Sequence, residues 1–357
     1  MGGVPKGILN SDYKLHFRRI DLRLRAPWSS ARTQHATTSS VVIVELTGPD
    51  KFRGLGEAAP ISRYNENCDK VEAFLAYLAH NSINVNDIVK RNVGVCRLPA
   101  TPISALCALN VAALDLAAKL AGKSIHEYLG LPFQESKHST SFTISIAEPA
   151  EIRRQVLAAA NYPVLKLKVG GPRDQLSFKS LRDAAPSKPV RLDANEGWQT
   201  KELALERIEF FSKDPHVQFV EQPMPASIPE KDWAWLKRRS PLPIFADESY
   251  HSAQDAERAA QCFHGVNVKL VKTGGITGAM DALRAARRQG LKTMLGCMIE
   301  TSILISAAAH LASLCDYLDL DGNLLVANDP YLGVTADAGI LSFREAKEKY
   351  GLRVSPR

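Results

Sequence analysis

The sequence predicts an α/β fold in which eight parallel strands, each followed by a helix, close into a barrel behind a smaller α+β domain. From about residue 139, short apolar runs alternate with amphipathic or alanine-rich segments, a rhythm typical of parallel sheets with crossover helices. Eight such repeats most simply close into a (β/α) barrel. A doubly wound open sheet is the second interpretation, but no G-x-G-x-x-G turn supports it.

The eight predicted strands are short, and most carry a charged residue at or near their end. They read FTISI, VLKLKV, VRLDAN, VQFVEQP, PIFADES, GVNVKLVK, KTMLGCMIE and DYLDLDG. Segments such as KELALERIEFFSK and AMDALRAARRQG lie between them. Each is long enough to cross from one parallel strand to the next as a helix.

The first part of the chain follows a different pattern. LHFRRIDLRLR and SVVIVELTG have the alternation of strands, and DKVEAFLAYLAH and ISALCALNVAALDLAAKLAG have the apolar period of helices. We therefore predict an α+β domain over residues 1–135 and the barrel over residues 136–330. The remaining segment, 331–357, is too short for a domain of its own, so we expect it to pack back on the first one.

Composition narrows the class of partner. The chain has 357 residues, 45% of them hydrophobic and 23% charged, which is ordinary for a globular protein. Its net charge of +7 is spread along the sequence without a long basic block. We therefore expect an anionic small molecule as partner, and no nucleic acid.

Three features of the sequence predict a cytoplasmic location. Six cysteines without a CxxC pair indicate free thiols in a reducing compartment. The N-terminus, MGGVPKGILNSDYKLHFRR, lacks the apolar core of a signal peptide. The most apolar stretch, LGCMIETSILISAAAHLASLC, carries Glu300 and His310, so we predict a buried strand and a buried helix there and no membrane span.

Three consecutive predicted strands end in a carboxylate. These are Asp193, Glu221 and Asp247, separated by 28 and 26 residues, about one strand–helix unit each. The C-terminal ends of barrel strands meet at one rim, so the three side chains converge. A helix cap or a surface ion pair would explain any one of them, but three in register repel one another unless a hard cation binds them. Oxygen ligands alone favour Mg²⁺ over Zn²⁺.

Lysines on two other predicted strands face the same site. Lys166 and Lys168 share one face of VLKLKV, and a solvated edge strand would explain that pair taken alone. In GVNVKLVK, Asn267 and Lys269 share one face, while Lys272 falls on the apolar face. The second and sixth strands lie opposite each other in an eight-stranded barrel, so Lys269 is expected to face the first pair across the carboxylates.

The last two strands leave their polar residues with more than one interpretation. Asp319 and Asp321 share the inward face of DYLDLDG, where they suit either a second metal ion or an ammonium group on a substrate. Glu300 closes the seventh strand, either as another acid of the site or as a residue that starts a helix.

The motifs LKLKVG, RLDAN, VEQP, ADES and NVKLVKTGG, in this order and spacing, resemble the enolase superfamily, muconate-lactonising subgroup. NVAALDLAAKLAGKSIHEYLGL resembles the N-terminal domain of that family, and GEAAPISRYNE its mobile capping loop. DLDG on the final strand resembles the dipeptide epimerases, in which such a pair holds the substrate's α-ammonium group. The resemblance implies a modified (β/α)7β TIM-type barrel and an α+β capping domain completed by the C-terminal tail.

Carried over residue by residue, the resemblance implies a role for each position. One Mg²⁺ per subunit would be held by Asp193, Glu221 and Asp247. Lys168 and Lys269 would be the acid/base pair, and Lys166 a helper that favours a neutral Lys168. In glutamate-specific members a cation for the distal carboxylate lies close to the position of Arg32. The substrate-binding residues would be Asp319, Asp321, Thr143, Arg32, Glu300 and Cys297.

The resemblance also implies an isomerase, a Mg²⁺-dependent dipeptide epimerase. It would invert the α-carbon of the C-terminal residue of L-Ala-D/L-Glu or a related dipeptide, by two-base 1,1-proton transfer through an enediolate. N-acylamino acid racemases, o-succinylbenzoate synthases and cycloisomerases share the metal site and the lysines, but the Asp319–Asp321 pair favours a free amino group. Outside the superfamily, a Schiff-base lysine aldolase does not require the three carboxylates, and a non-catalytic barrel predicts broken catalytic positions. We expect a homo-oligomer that binds a small-molecule dipeptide and no membrane.

Overall fold

The computed structural model describes residues 13–48, 52–80 and 101–357, and its first part is an antiparallel sheet covered by helices. The three strands, in spatial order, are β1 (Lys14–Trp28), β2 (Ala36–Thr47) and β3 (Arg53–Ala58). The helices of this part are α1 (Cys68–Ala79), α2 (Ile103–Leu120) and α3 (Ile125–Tyr128). The α+β character predicted for the N-terminal part is confirmed.

Helix α2 is the core helix of this part. It is long and apolar enough to cross a membrane, but 78% of its apolar window is buried inside the protein. It packs closely on β3, where a Cβ atom at Gly56 would lie 1.9 Å from the carbonyl oxygen of Ala108. Glycine in the strand therefore lets the helix approach the sheet backbone directly.

Eight parallel strands follow one another in chain order around the second part. They are β4 (Phe142–Ile144), β5 (Leu165–Lys168), β6 (Val190–Asp193), β7 (Val217–Glu221), β8 (Ile244–Ala246), β9 (Gly265–Lys269), β10 (Lys292–Gly296) and β11 (Tyr317–Asp319). A parallel bridge between Thr140 and Leu318 joins the first strand region to the eighth and closes the barrel. The predicted barrel and its eight strands are confirmed.

Helices connect the barrel strands. They are α4 (Pro149–Ala158), α5 (Asp174–Ala184), α6 (Lys201–Phe211), α7 (Glu230–Arg239), α8 (Ala256–Cys262), α9 (Leu270–Thr273), α10 (Ile276–Arg288) and α11 (Ser302–Ala309). The apolar stretch around Glu300 forms β10 and α11, as predicted. One prediction is wrong: the strand GVNVKLVK ends at Lys269, and α9 adds a helical turn that changes the direction of Lys272.

Aromatic side chains fill the interior of the barrel beneath the C-terminal rim. Phe219 and Phe245 stack with their ring centroids 4.2 Å apart. The guanidinium of Arg191 lies 5.6 Å from the Phe219 ring and 5.0 Å from the Tyr317 ring, and it donates a 2.7 Å hydrogen bond to the carbonyl of Leu318. The buried guanidinium of Arg191 is thus both hydrogen-bonded and stacked on aromatic rings. These side chains fill the barrel interior below the rim, which is called the barrel floor below.

The C-terminal tail returns to the first part of the chain. Its short strands are β12 (Tyr331–Leu332), β13 (Thr335–Asp337), β14 (Ile340–Ser342) and β15 (Ser355–Pro356). The amide of Leu352 donates to Asp115 of α2 at 2.7 Å, and Arg18 of β1 donates to the Tyr331 hydroxyl at 3.2 Å. The domain limits 135/136 and 330/331 stay a prediction.

The expectation of free thiols can be examined at five of the six cysteines. The free cysteines are Cys68, Cys107, Cys262, Cys297 and Cys315, and Cys96 lies outside the described residues. Disulfides therefore do not stabilise the described part of the chain.

Candidate active site

Three carboxylates meet at the C-terminal rim of the barrel. Asp193 and Glu221 are the last residues of β6 and β7, and Asp247 follows β8. One possible ligand oxygen from each lies within 4.8 Å of the others, and each residue is at most 1% exposed. The structure therefore brings together the three carboxylates that the strand spacing grouped.

The cluster has the electrostatics of a cation site. Burial and the neighbouring charge of Asp193 raise the pKa of Glu221 to about 8, because three buried carboxylates disfavour one another's ionisation. Buried oxygens of three nearby residues, Asn195, Glu248 and Asn267, accept no hydrogen bond from the described residues. Oxygen-only ligands and unused acceptors together fit a hard divalent ion such as Mg²⁺.

Lys168 and Lys269 flank the carboxylate cluster from opposite walls. Lys168 Nζ lies 2.7 Å from Asp193 Oδ2, and Lys269 Nζ lies 2.8 Å from Asp247 Oδ2. Their strands, β5 and β9, are four positions apart in the eight-stranded sheet. Burial would lower the pKa of Lys269, but Asp247 and Glu221 outweigh burial and hold it above its usual value. A molecule seated over the cluster therefore has an amine on either side.

Lys166 lies deeper and links the cluster to the eighth strand. Its Nζ is 3.0 Å from Asp193, 2.8 Å from Glu221 and 2.7 Å from Asp319. Burial opposes its charge, but the three carboxylates outweigh burial and raise the pKa of Lys166 well above its usual value. Lys166 is therefore a fixed cation 2.7–3.0 Å from these three carboxylates.

Lys272 also reaches the site, which corrects the prediction that it faces the outer helices with Val266 and Val268. The turn α9 carries its Nζ to 2.6 Å from Asp247 Oδ1 and 2.5 Å from the Asp247 carbonyl. A third bond of 3.0 Å goes to the carbonyl of Asn267. Strand alternation stops at Lys269, so parity no longer applies three residues later.

Asp319 and Asp321 line the cavity, and Lys166 links Asp319 to the carboxylate cluster. Asp319 is already paired, because it accepts from Lys166 and from Ser141 Oγ, both at 2.7 Å. Asp321 accepts from the amide of Thr143 at 2.6 Å. Burial and the nearby Asp319 raise the pKa of Asp321 to about 6, so a cation placed beside it would be bound favourably.

Thr143 and Cys297 frame this acidic pair. Thr143 contributes its backbone amide to Asp321, and Cys297 Sγ lies 4.0 Å from Asp321 Oδ1. Burial and the charge of Asp321 raise the pKa of the Cys297 thiol well above its usual value. Both residues line the cavity, so they can contact a ligand, and Cys297 does so as a neutral thiol.

Glu300 is buried behind Met298 and Ile299, which line the cavity. It does not contribute to the described cavity lining, and its Oε1 accepts from the amide of Met298 at 3.0 Å. Burial and the neighbouring Glu57 raise its pKa well above the usual value. Glu57, on β3, in turn accepts from the Thr301 amide at 2.9 Å. Glu300 therefore lies at the junction of the two parts of the chain, beside the start of α11.

A cavity of about 530 Å³ is lined by Lys166, Lys168, Lys269 and the acidic pair. Two segments of the N-terminal part, residues 28–39 and 59–63, line its mouth and are called the two loops below. Trp28 places its ring 5.7 Å from Lys168 Nζ. Arg32 is ion-paired with Glu248 and, at 2.9 Å, with Glu196. Arg63 also pairs with Glu196, at 2.8 Å. Sequence reasoning missed both glutamates, since these contacts join segments 133 to 216 residues apart.

Comparisons with known proteins identify the family of the chain. Residues 16–130 match the model of the mandelate racemase / muconate lactonizing enzyme N-terminal domain, and residues 148–332 match the enolase C-terminal domain-like model. An L-Ala-D/L-amino acid epimerase from Pedosphaera parvula is 56% identical over 96% of this chain and 99% of its own length. An L-Ala-D/L-Glu epimerase from Bacteroides thetaiotaomicron is 33% identical over 96% of this chain and 88% of its own.

A solved structure shows the same architecture. The dipeptide epimerase from Cytophaga hutchinsonii, complexed with Mg and the dipeptide D-Ala-L-Val, superposes with a TM-score of 0.88 at 28% identity, over 97% of this chain and 96% of that one. The family models match both parts of the chain, and the superposition covers nearly all of it. The chain belongs to the enolase superfamily, in its mandelate racemase / muconate lactonizing enzyme branch.

Proposed function

We propose that the protein is a Mg²⁺-dependent dipeptide epimerase that inverts the α-carbon of the C-terminal residue of L-Ala-D/L-Glu or a related dipeptide. One observation carries the proposal: Lys168 and Lys269 flank a buried triad of carboxylates, each paired to a different member of it. A base on each face of an α-carbon permits proton removal on one side and proton return on the other. That exchange is an epimerisation.

The substrate's carboxylate belongs at the triad of Asp193, Glu221 and Asp247. When bound there, Mg²⁺ supplies positive charge to the substrate carboxylate and makes the α-proton more acidic. Lys166 adds a second fixed cation at the same end of the cavity. The side chains present thus favour a doubly negative enediolate over the singly charged substrate, which is what catalysis requires.

Lys168 and Lys269 then divide the proton transfer between two faces. In each direction one amine must be neutral to remove the α-proton, and the other must be an ammonium to deliver one. Asp247 and Glu221 favour the ammonium form of Lys269. The Trp28 ring lies 5.7 Å from Lys168 Nζ on the opposite wall.

The amino group of the dipeptide belongs at Asp319 and Asp321. Asp319 is already held by Lys166 and Ser141, so Asp321 is the freer acceptor of the two. An N-acylated substrate would leave Asp321 buried against an amide without a cation. This favours a dipeptide over the substrates of N-acylamino acid racemases, o-succinylbenzoate synthases and cycloisomerases.

The proposal is tested by α-proton exchange in D₂O with pure epimers of a dipeptide. Lys168→Ala should stop exchange from one epimer and leave exchange from the other, and Lys269→Ala should show the reverse pattern. We expect Lys168 to act on the S centre and Lys269 on the R centre. Net epimerisation should vanish in both variants, because each amine reaches only one face.

Lys292→Met is a suitable control, since the Lys292 side chain is 63% exposed and lies on the outer end of β10. Mass spectrometry of the α-deuterium content provides the measurement. Exchange from both epimers in both active-site variants would contradict the two-base mechanism. Trapping of a lysine by borohydride and a carbonyl substrate would instead indicate a Schiff-base aldolase.

A further inference from the structure

The direction in which the side chain of the substrate's C-terminal residue points follows from the other three substituents of its α-carbon. The carboxylate lies at the metal triad, the amide nitrogen leads toward Asp321, and the hydrogen must face Lys168 or Lys269. The remaining direction is the mouth of the cavity, beneath the two loops of the N-terminal part. Trp28 and Ile61 provide apolar surface there.

Two arginines also line this mouth, and carboxylates of the protein already neutralise both. Arg63 donates from Nε and Nη2 to Glu196, each at 2.8 Å. Arg32 donates to Glu196 at 2.9 Å and is also paired with Glu248. Two arginines and two glutamates leave no net charge. A carboxylate on the substrate side chain would therefore lose water without gaining a free cation.

Glu196 is held in place independently of any ligand. Its Oε1 accepts from the amide of Ala226 at 2.8 Å, and its side chain is only 9% exposed. It follows the metal-binding strand β6 by three residues and adopts a positive φ of 68°, which turns the chain toward the loops. The carboxylate is thus positioned by the barrel, and the arginines of both loops converge on it.

We propose that Glu196 is a specificity-determining residue that makes this subsite accept neutral side chains in preference to acidic ones. By binding Arg63 and sharing Arg32 with Glu248, it removes the cations that would otherwise recognise the distal carboxylate of a glutamyl residue. The substrate class is therefore a dipeptide with an uncharged C-terminal residue. This inference rests on the proposed epimerase function and deepens it.

The first test compares two nearly isosteric substrates on the wild-type protein. The kcat/KM for L-Ala-L-Gln should exceed that for L-Ala-L-Glu. Glu196→Gln should then raise the ratio of kcat/KM for the glutamyl over the glutaminyl dipeptide by about tenfold, because Arg63 loses its carboxylate partner and can form a charge-assisted bond to substrate. Glu148→Gln is the matched control, since it removes a surface carboxylate paired with Arg173, and should leave the ratio unchanged.

Two further variants test whether Arg63 causes the change in the ratio. The double variant Glu196→Gln/Arg63→Met should return the ratio to the wild-type value. Arg63→Met alone should not raise it, because Arg32 then remains against the two carboxylates of Glu196 and Glu248. The Arg63→Met result and the wild-type comparison do not depend on whether Glu196→Gln folds. A wild-type preference for L-Ala-L-Glu, or a rise of the ratio in Arg63→Met, would overturn the inference while leaving the epimerase function intact. Absence of α-proton exchange with every dipeptide would instead refute the proposed function.

Discussion

Replacing Lys272 by methionine tests whether this lysine is structural or catalytic. Its side chain is fully buried, and the ammonium bonds to Asp247 Oδ1, to the Asp247 carbonyl and to the Asn267 carbonyl. Methionine preserves the volume but leaves these three acceptors without that donor. Removing one partner of a buried ion pair costs about 3–5 kcal/mol, and we expect a loss of unfolding free energy in that range.

The effect on catalysis should have a distinct signature. Lys272 Nζ is occupied by three bonds to Asp247 and Asn267, so Lys272→Met should slow α-proton exchange from both epimers together by misplacing Asp247. Urea unfolding measures the stability and D₂O exchange the activity, with Lys292→Met as the exposed control, expected to change stability by no more than about 1 kcal/mol. Normal stability combined with loss of exchange from one epimer only would refute this reasoning and make Lys272 a base.

Three other predictions concern the metal, the amino group and pH. Excess EDTA should abolish α-proton exchange and Mg²⁺ should restore it, because the oxygen ligands of the triad bind a hard cation; full activity in EDTA would exclude a metal requirement. N-acetylation of a good dipeptide substrate should lower kcat/KM at least about tenfold, since Asp321 then lacks its cation, and equal turnover of both forms would point to an N-acylamino acid racemase. Burial raises the pKa of Glu57 from 4.5 to about 7, so the folded state binds more protons than the unfolded state between these values and stability falls as pH rises through this window. Glu57→Gln should remove about 3 kcal/mol of that fall, as measured by urea unfolding between pH 4.5 and 7, and an unchanged pH dependence would contradict the assignment.

The barrel and the positions of its strand-end residues could be predicted because they depend on short-range patterns. Alternation within a strand determines which side chains face inward, and parallel strands bring their C-terminal ends to one rim. These two rules were sufficient to group Asp193 with Glu221 and Asp247. They also placed Lys269 on the inner face.

The remaining features depend on contacts that no local pattern encodes. Lys272 escaped prediction because the chain changes from strand to helix one residue after Lys269. Arg32 was expected to meet a substrate carboxylate, and only the folded chain shows that Glu196 and Glu248 occupy its guanidinium. Glu300 was expected to close the seventh strand, but that strand ends at Gly296, and Glu300 lies beside the start of α11 and near Glu57 of the N-terminal sheet.

Arg191 and Phe219 are among the side chains that fill the barrel floor, so within the described residues the cavity extends away from the floor toward the N-terminal part. A dipeptide must therefore arrive and depart along the same path, beneath the loops that carry Trp28 and Arg63. As long as a dipeptide stays bound, its α-carbon can be inverted repeatedly, because Lys168 and Lys269 both stay within reach of it. The ratio of inverted to unchanged dipeptide released after one binding event therefore measures the rate of proton transfer relative to the rate of release.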